Sequence, residues 1–167
     1  LSALYNYNKG FFRNTARNER TNDKDLFGIR GTLLFEATDR LTLTLRGDLT
    51  RDRSKARLGQ IVGFNPTETF VANLERTTAP QRLRDFVLRP GDDVFTGGSD
   101  LEPRADLDIW GVSLTAEYDF GGVELKSISG YRDLEQRTNL DIDNSPLFVV
   151  NSIRDLGQWQ FTQELQL

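Results

Sequence analysis

The chain contains no cysteine, no histidine and no methionine. Without cysteine there is neither a disulfide framework nor thiolate chemistry. Without histidine the commonest general base and the commonest transition-metal ligand are both missing. Hydrolases built on a histidine-activated nucleophile are therefore excluded for this stretch. Without methionine the sequence does not open at a translation start. Leu1 leads directly into SALYNYNKGFF, with no charged n-region, apolar h-region or cleavage site. QWQFTQELQL ends in mid-strand, so the expectation is an internal piece of a longer protein.

Long apolar runs are also lacking. Charged residues make up 28% and mean hydropathy is −0.50, with no window near 18 consecutive apolar residues. That excludes a bundle of transmembrane helices. It does not exclude membrane-crossing strands, which alternate lipid-facing and interior-facing residues and so read as hydrophilic overall. The net charge of −4 and the dispersed Lys and Arg residues argue against a nucleic-acid partner bound through phosphates. A length of 167 residues suits one ordinary domain.

What is present is a lopsided rhythm of strands. Phe27–Leu49 reads FGIRGTLLFEATDRLTLTLRGDL and Asp108–Tyr131 reads DIWGVSLTAEYDFGGVELKSISGY. Each is a hairpin around a tight turn, Thr38-Asp39-Arg40 in the first and Gly121-Gly122 in the second. Six strands are predicted, at 2–13, 26–37, 41–52, 107–120, 123–134 and 158–167. Strands of this length exceed the usual five or six residues of globular sheets and match the ~9–11 that cross a bilayer at a tilt. The connections alternate between very short and long, the longest being the charged, Pro- and Gly-rich loop 53–106.

Period-two sorting runs through four of these strands. Phe27, Ile29, Leu33 and Phe35 oppose Arg30, Thr32 and Glu36, while Leu41, Leu43, Leu45 and Leu49 oppose Thr42, Thr44, Arg46, Asp48 and Thr50. Trp110, Val112, Leu114, Ala116, Tyr118 and Phe120 oppose Ser113, Thr115, Glu117 and Asp119. Trp159, Phe161, Leu165 and Leu167 oppose Gln158, Gln160, Thr162, Glu164 and Gln166. The exceptions are Gln163, Ser127 and Ser129, polar residues at apolar positions, and the first strand is ambiguous.

Aromatic residues collect at both strand ends: Phe35, Tyr118 and Phe120 near the short turns, Phe27, Trp110, Tyr131 and Trp159 near the long loops. The span from Trp110 to Phe120, at ~3.3 Å per residue and a ~40° tilt, rises roughly 25 Å, the height of a membrane barrel's apolar band. A soluble sandwich also alternates but has no reason to ring both ends with aromatics. The reading is an all-β fold, an antiparallel transmembrane β-barrel segment. Six strands cannot close alone, so the edge strands must pair with further strands.

The segments NDKDLFGIRGTLLFEATDRLTLTLRGDLTRDRS (22–54), SISGYRDLE (127–135) and FTQELQL (161–167) closely resemble barrel segments of TonB-dependent receptors of the Gram-negative outer membrane. The resemblance covers most strand positions but not the loop 53–106. It implies a 22-stranded barrel filled by an N-terminal plug and energised by the periplasmic protein TonB. It implies import of a scarce nutrient such as a ferric siderophore, cobalamin or glycan. Neither plug nor TonB-contacting segment has a match in 1–167, so no functional residue is carried over. The partners implied are outer-membrane lipid, the rest of the barrel with its plug, TonB through that plug, and a small-molecule substrate. A porin-like or adhesive surface barrel without energised transport, and a soluble β-sandwich binding module, remain as other readings.

No catalytic, cofactor or metal residue is assigned, and the chain does not read as an enzyme. Asp92-Asp93 with Asp100 and Glu102, and Asp141-Ile142-Asp143-Asn144, carry oxygen ligands at calcium-like spacing. Neither has the EF-hand pattern, and acidic residues are common in exposed loops. Arg57, Arg76, Arg82, Arg84, Arg89 and Arg104 could grip an anion, yet residues 53–106 hold eight basic against eight acidic residues, which removes net steering. The interior-facing Thr, Arg, Glu and Gln residues either line a substrate route or solvate an interior. Parity sets the registers: Phe120 with Val123 and Glu117 opposite Lys126 in the second hairpin, Leu33 with Leu45 and Arg30 opposite Asp48 in the first.

Overall fold

The structure, a computed structural model, describes residues 1–63, 65, 73, 76 and 80–167. These residues form an all-β chain: β1 (Ser2–Asn8), β2 (Phe12–Asn14), β3 (Glu19–Thr21), β4 (Lys24–Thr38), β5 (Leu41–Asp52), β6 (Thr96–Gly97), β7 (Arg104–Asp119), β8 (Glu124–Asp141) and β9 (Asn151–Gln166). A single 3-10 turn, Leu83–Phe86, lies between β5 and β6. Six strands make one sheet in the order β1-β4-β5-β7-β8-β9, antiparallel throughout. β3, β2 and β6 make a second, small sheet.

Alternation gives the large sheet two unlike faces. Leu33, Leu45 and Leu114 are register neighbours across three strands, flanked by Phe35, Leu43 and Ala116 on one side and, beyond the row Gly31, Gly47 and Val112, by Ile29, Leu49 and Trp110 on the other. The opposite face presents Thr32, Arg46 and Ser113 in the adjoining row. The substantial contacts of this sheet run between hydrogen-bonded neighbours, so it is a single layer. Leu33, Leu165 and Phe161 are accordingly 69%, 68% and 60% exposed, where a sandwich would have buried one face.

Among the described residues the buried apolar side chains, Phe12, Ala56, Leu58 and Leu83, lie instead in the small sheet and the loop that follows β5. Polar clamps join these segments. The Asn22 side chain accepts from the Leu58 N–H at 2.8 Å and donates to the Leu58 carbonyl at 3.1 Å. Asn14, fully buried, holds both backbone groups of Ser99 in the same manner. Gly10 enters this cluster with φ +82°, and a Cβ there would sit 2.3 Å from the Thr21 carbonyl oxygen, so only glycine fits.

The predicted registers hold at all four pairs: Leu33 with Leu45, Arg30 with Asp48, Glu117 with Lys126, and the Phe120 N–H donating to the Val123 carbonyl at 2.9 Å. The first turn differs. Thr38 pairs with Leu41, leaving Asp39-Arg40 as a two-residue turn, and the odd residue is taken up by an irregularity between Glu36 and Thr38. Parity needs one extra residue, and a bulge supplies it as well as a longer turn does. The Thr38 hydroxyl oxygen accepts from the Leu41 N–H at 3.0 Å and fixes this form.

Three boundaries also differ. The expected strand 2–13 ends at Asn8, and Phe12–Asn14 joins the small sheet. β8 continues to Asp141 and β9 begins at Asn151, so the expected connection of about 23 residues is a short loop, 142–150. Residues 135–141, EQRTNLD, hold a single apolar residue, Leu140, so no period-two hydrophobic signal marks them as strand. The centre of loop 53–106 lies largely outside the described residues.

Candidate functional site

The polar face carries one row of charge across the whole sheet. Ser2, Arg30, Asp48, Gly111, Arg132 and Gln160 are successive register neighbours from β1 to β9. Arg132 donates to both Asp48 carboxylate oxygens, at 2.8 and 3.0 Å, across the intervening strand β7. It can do so because the residue between them is Gly111. A Cβ at Gly111 would stand 3.2 Å from the Arg132 Nε and Nη2 atoms. Arg30, the predicted partner, is Asp48's direct cross-strand neighbour, yet Asp48's ion pair runs to Arg132.

This row floors a cavity of about 490 Å³ whose walls include Arg30, Thr32, Arg46, Asp48, Arg132 and Thr162. The Arg46 guanidinium donates to the Thr115 hydroxyl at 3.4 Å. Towards the turns, Lys126 pairs with Glu117 at 2.7 Å. Three guanidinium groups against one carboxylate give the cavity a positive balance, suited to holding polar or anionic groups by charge and hydrogen bonds. It contains no base-activated nucleophile.

The apolar face has sharp limits. Its loop end carries Trp110, Tyr131 and Trp159 in a ladder, with ring centroids 5.3 and 6.4 Å apart. One register step beyond Leu49 and Trp110 on the same face, Arg51 pairs with Asp108 at 3.1 Å. At the other end Tyr118 and Phe120 meet edge to face at 4.5 Å. Between these limits the polar exceptions Ser127, Ser129 and Gln163 bond with one another.

The acidic stretches divide differently from their order in sequence. Asp92 accepts from the Arg89 N–H at 2.8 Å. Asp93 accepts from the Phe95 N–H and the Thr96 hydroxyl, both at 2.9 Å, bonds that hold its carboxyl below the ordinary value. Both are turn fasteners. Asp100 instead reaches the far end of β8 and β9, where its carboxylate oxygens accept from the Asn151 amide at 3.1 and 3.3 Å. The Glu102 carbonyl accepts from the Asn139 amide at 3.3 Å. Asp143 is taken up by its own loop, accepting from the Ser145 and Val150 N–H groups at 3.2 and 2.9 Å.

Asp141 is 2% exposed. Burial pushes its carboxyl up to about 6, with the neighbouring Asp143 and Asp100 charges adding to the rise and Ser99 and the Asn144 N–H opposing it. Sequence reasoning singled out Asp141 and Asp143 but missed Asn139 and Asn151. No hydrophobic period marks residues 135–141 as strand, so the sequence does not set Asn139 on one face with Asp141.

Arg104 pairs with Asp106 at 2.8 Å and Arg76 bonds the Asn73 side chain, so neither is held open for a ligand. Among the described residues no group of three or more Asp, Glu, His or Cys residues forms a metal centre. No helix among them is long and apolar enough to cross a membrane. No family model, curated protein or solved structure matches the chain.

Proposed function

We propose that the chain is part of an outer-membrane β-barrel of the TonB-dependent transporter type, importing a scarce nutrient. The observation that carries the membrane reading is the unpartnered apolar face, which runs across β4, β5 and β7 and on through Tyr131, Trp159, Phe161 and Leu165 of β8 and β9, where the polar Ser127, Ser129 and Gln163 bond among themselves. In water such a face would be covered by a second layer. In lipid it needs no cover, and its aromatic limits with the charged Arg51–Asp108 pair just beyond them fit an interface. The polar face, with its arginine-rich cavity, then lines the barrel interior. The free edges of β1 and β9 pair with further strands of the same barrel, since unpaired backbone groups are costly in lipid. The transporter assignment rests on the resemblance of segments 22–54, 127–135 and 161–167.

Spin labels on the full chain in lipid vesicles test the membrane reading. Labels at Leu45 and Leu114 are expected to relax with dissolved oxygen, and labels at Thr44 and Thr115 with a water-soluble nickel chelate. Equal response to the chelate on both faces would overturn it. Energised transport is tested separately: uptake by cells should be lost when TonB is deleted, and TonB-independent uptake would point to a passive barrel.

A further inference from the structure

We infer that the loop end of β8 and β9 is a calcium site formed by Asn139, Asp141 and Asn151. The three residues share one face. Asn139 and Asp141 are two apart on β8, and Asn151 is the direct cross-strand partner of Asp141 on β9. Asn139 Oδ1, Asp141 Oδ2 and Asn151 Oδ1 are all buried, and none accepts a hydrogen bond. Three buried acceptors without a donor, brought together by strand register, form an environment that a hard cation satisfies.

The amide orientations are fixed by their other ends. The Asn139 nitrogen donates to the Glu102 carbonyl, and the Asn151 nitrogen donates to the Asp100 carboxylate. Flipping either amide would set oxygen against oxygen, so both carbonyl oxygens stay turned away from those acceptors. The other Asp141 oxygen, Oδ1, is held by the Asn144 N–H at 2.9 Å, and the neighbouring Ser99 hydroxyl, 3.0 Å from the Leu101 carbonyl, divides its hydrogen between that carbonyl and the Asp141 carboxyl. Arg104, opposite Asn139 in register, is engaged with Asp106 rather than with this group. Asp100 and Asp143 add negative charge nearby. Amide and carboxylate oxygens without imidazole or thiolate are the ligand set of calcium rather than zinc. The site also ties Asp100, from the long loop before β7, to the β8–β9 end, so the cation would lock two loops together. The inference is independent of the membrane reading, because it uses only the loop end.

Calorimetric titration of the purified, chelator-treated full chain with CaCl₂ tests it. One site is expected, with Kd about 10⁻⁴–10⁻³ M, the range of extracellular calcium modules. Asp141→Asn and Asn139→Leu should each weaken binding at least tenfold, while Asp93→Asn leaves it unchanged. Calcium should also raise the unfolding temperature of the parent but not of Asp141→Asn, a readout that remains if one variant folds poorly. No calcium heat, or equal heat from Asp141→Asn, would mean that water or a carboxyl proton satisfies the oxygens, and would overturn the site. Magnesium binding at least as tightly would overturn the calcium assignment.

Discussion

Ser129 donates its hydroxyl hydrogen to the Gln163 side-chain oxygen at 2.5 Å, directly across the β8–β9 ladder and on the apolar face. The Gln163 amide donates in turn to the Ser127 hydroxyl at 3.0 Å. The three residues that broke the alternation thus satisfy one another. Gln163→Ala should destabilise the full chain by about 1 kcal/mol, because the serines lose their partner in an apolar setting. Replacing all three by Ala, Ala and Leu should be neutral or stabilising. Urea midpoints in detergent check both, and additive losses in the triple variant would show that the residues do not act as a unit.

Gly111 should govern the Arg132–Asp48 bridge. A double-mutant cycle with Arg132→Gln and Asp48→Asn is expected to give about 0.2–1 kcal/mol of coupling, since Arg132 is half exposed. Repeated in a Gly111→Val background, the coupling should vanish, because the added side chain lies where the guanidinium crosses. Persistent coupling would mean that Arg132 reaches Asp48 by another route.

Gly10→Ala should loosen the loop cluster. Its positive φ costs an L-residue about 1–2 kcal/mol, and the Cβ overlaps the Thr21 carbonyl besides. Amide exchange is expected to quicken in residues 12–21 while the hairpin of β7 and β8 is unchanged. Uniform quickening across the sheet would mean that the two parts unfold together.

Asp155 provides the pH prediction. Its hydrogen bond from Arg137, at 2.7 Å, holds its carboxyl below the ordinary 3.8. A lowered carboxyl contributes stability above the ordinary value and loses it as pH falls through its own lower one. The contribution is small because the pair is exposed. Arg137→Gln should move the Asp155 carboxyl resonance midpoint upward in an NMR titration. An unmoved midpoint would show that the pair does not persist in solution.

Much of the large sheet was legible in the residues. Leu41, Leu43 and Leu45 alternating with Thr42 and Thr44 announce a strand, and parity across Gly121-Gly122 places Glu117 beside Lys126. Residues 135–141 escaped because polar residues fill both faces but for Leu140, leaving no hydrophobic period to read. The bulge between Glu36 and Thr38 escaped because a three-residue turn and a two-residue turn with a bulge give the same parity. Asn139 and Asn151 escaped because an amide carries no sequence signature of ligation.

The period-two faces, the hairpin registers and the aromatic limits are written in the residues, since each follows from neighbours a few positions apart along the chain. That Arg132 passes over Gly111 to Asp48, and that Asp100 meets Asn151 beside the buried Asp141, emerges from the folded sheet alone. These contacts join residues 84 and 51 positions apart. No local preference encodes such a meeting; it exists because hydrogen-bonded strands bring distant residues into the same row.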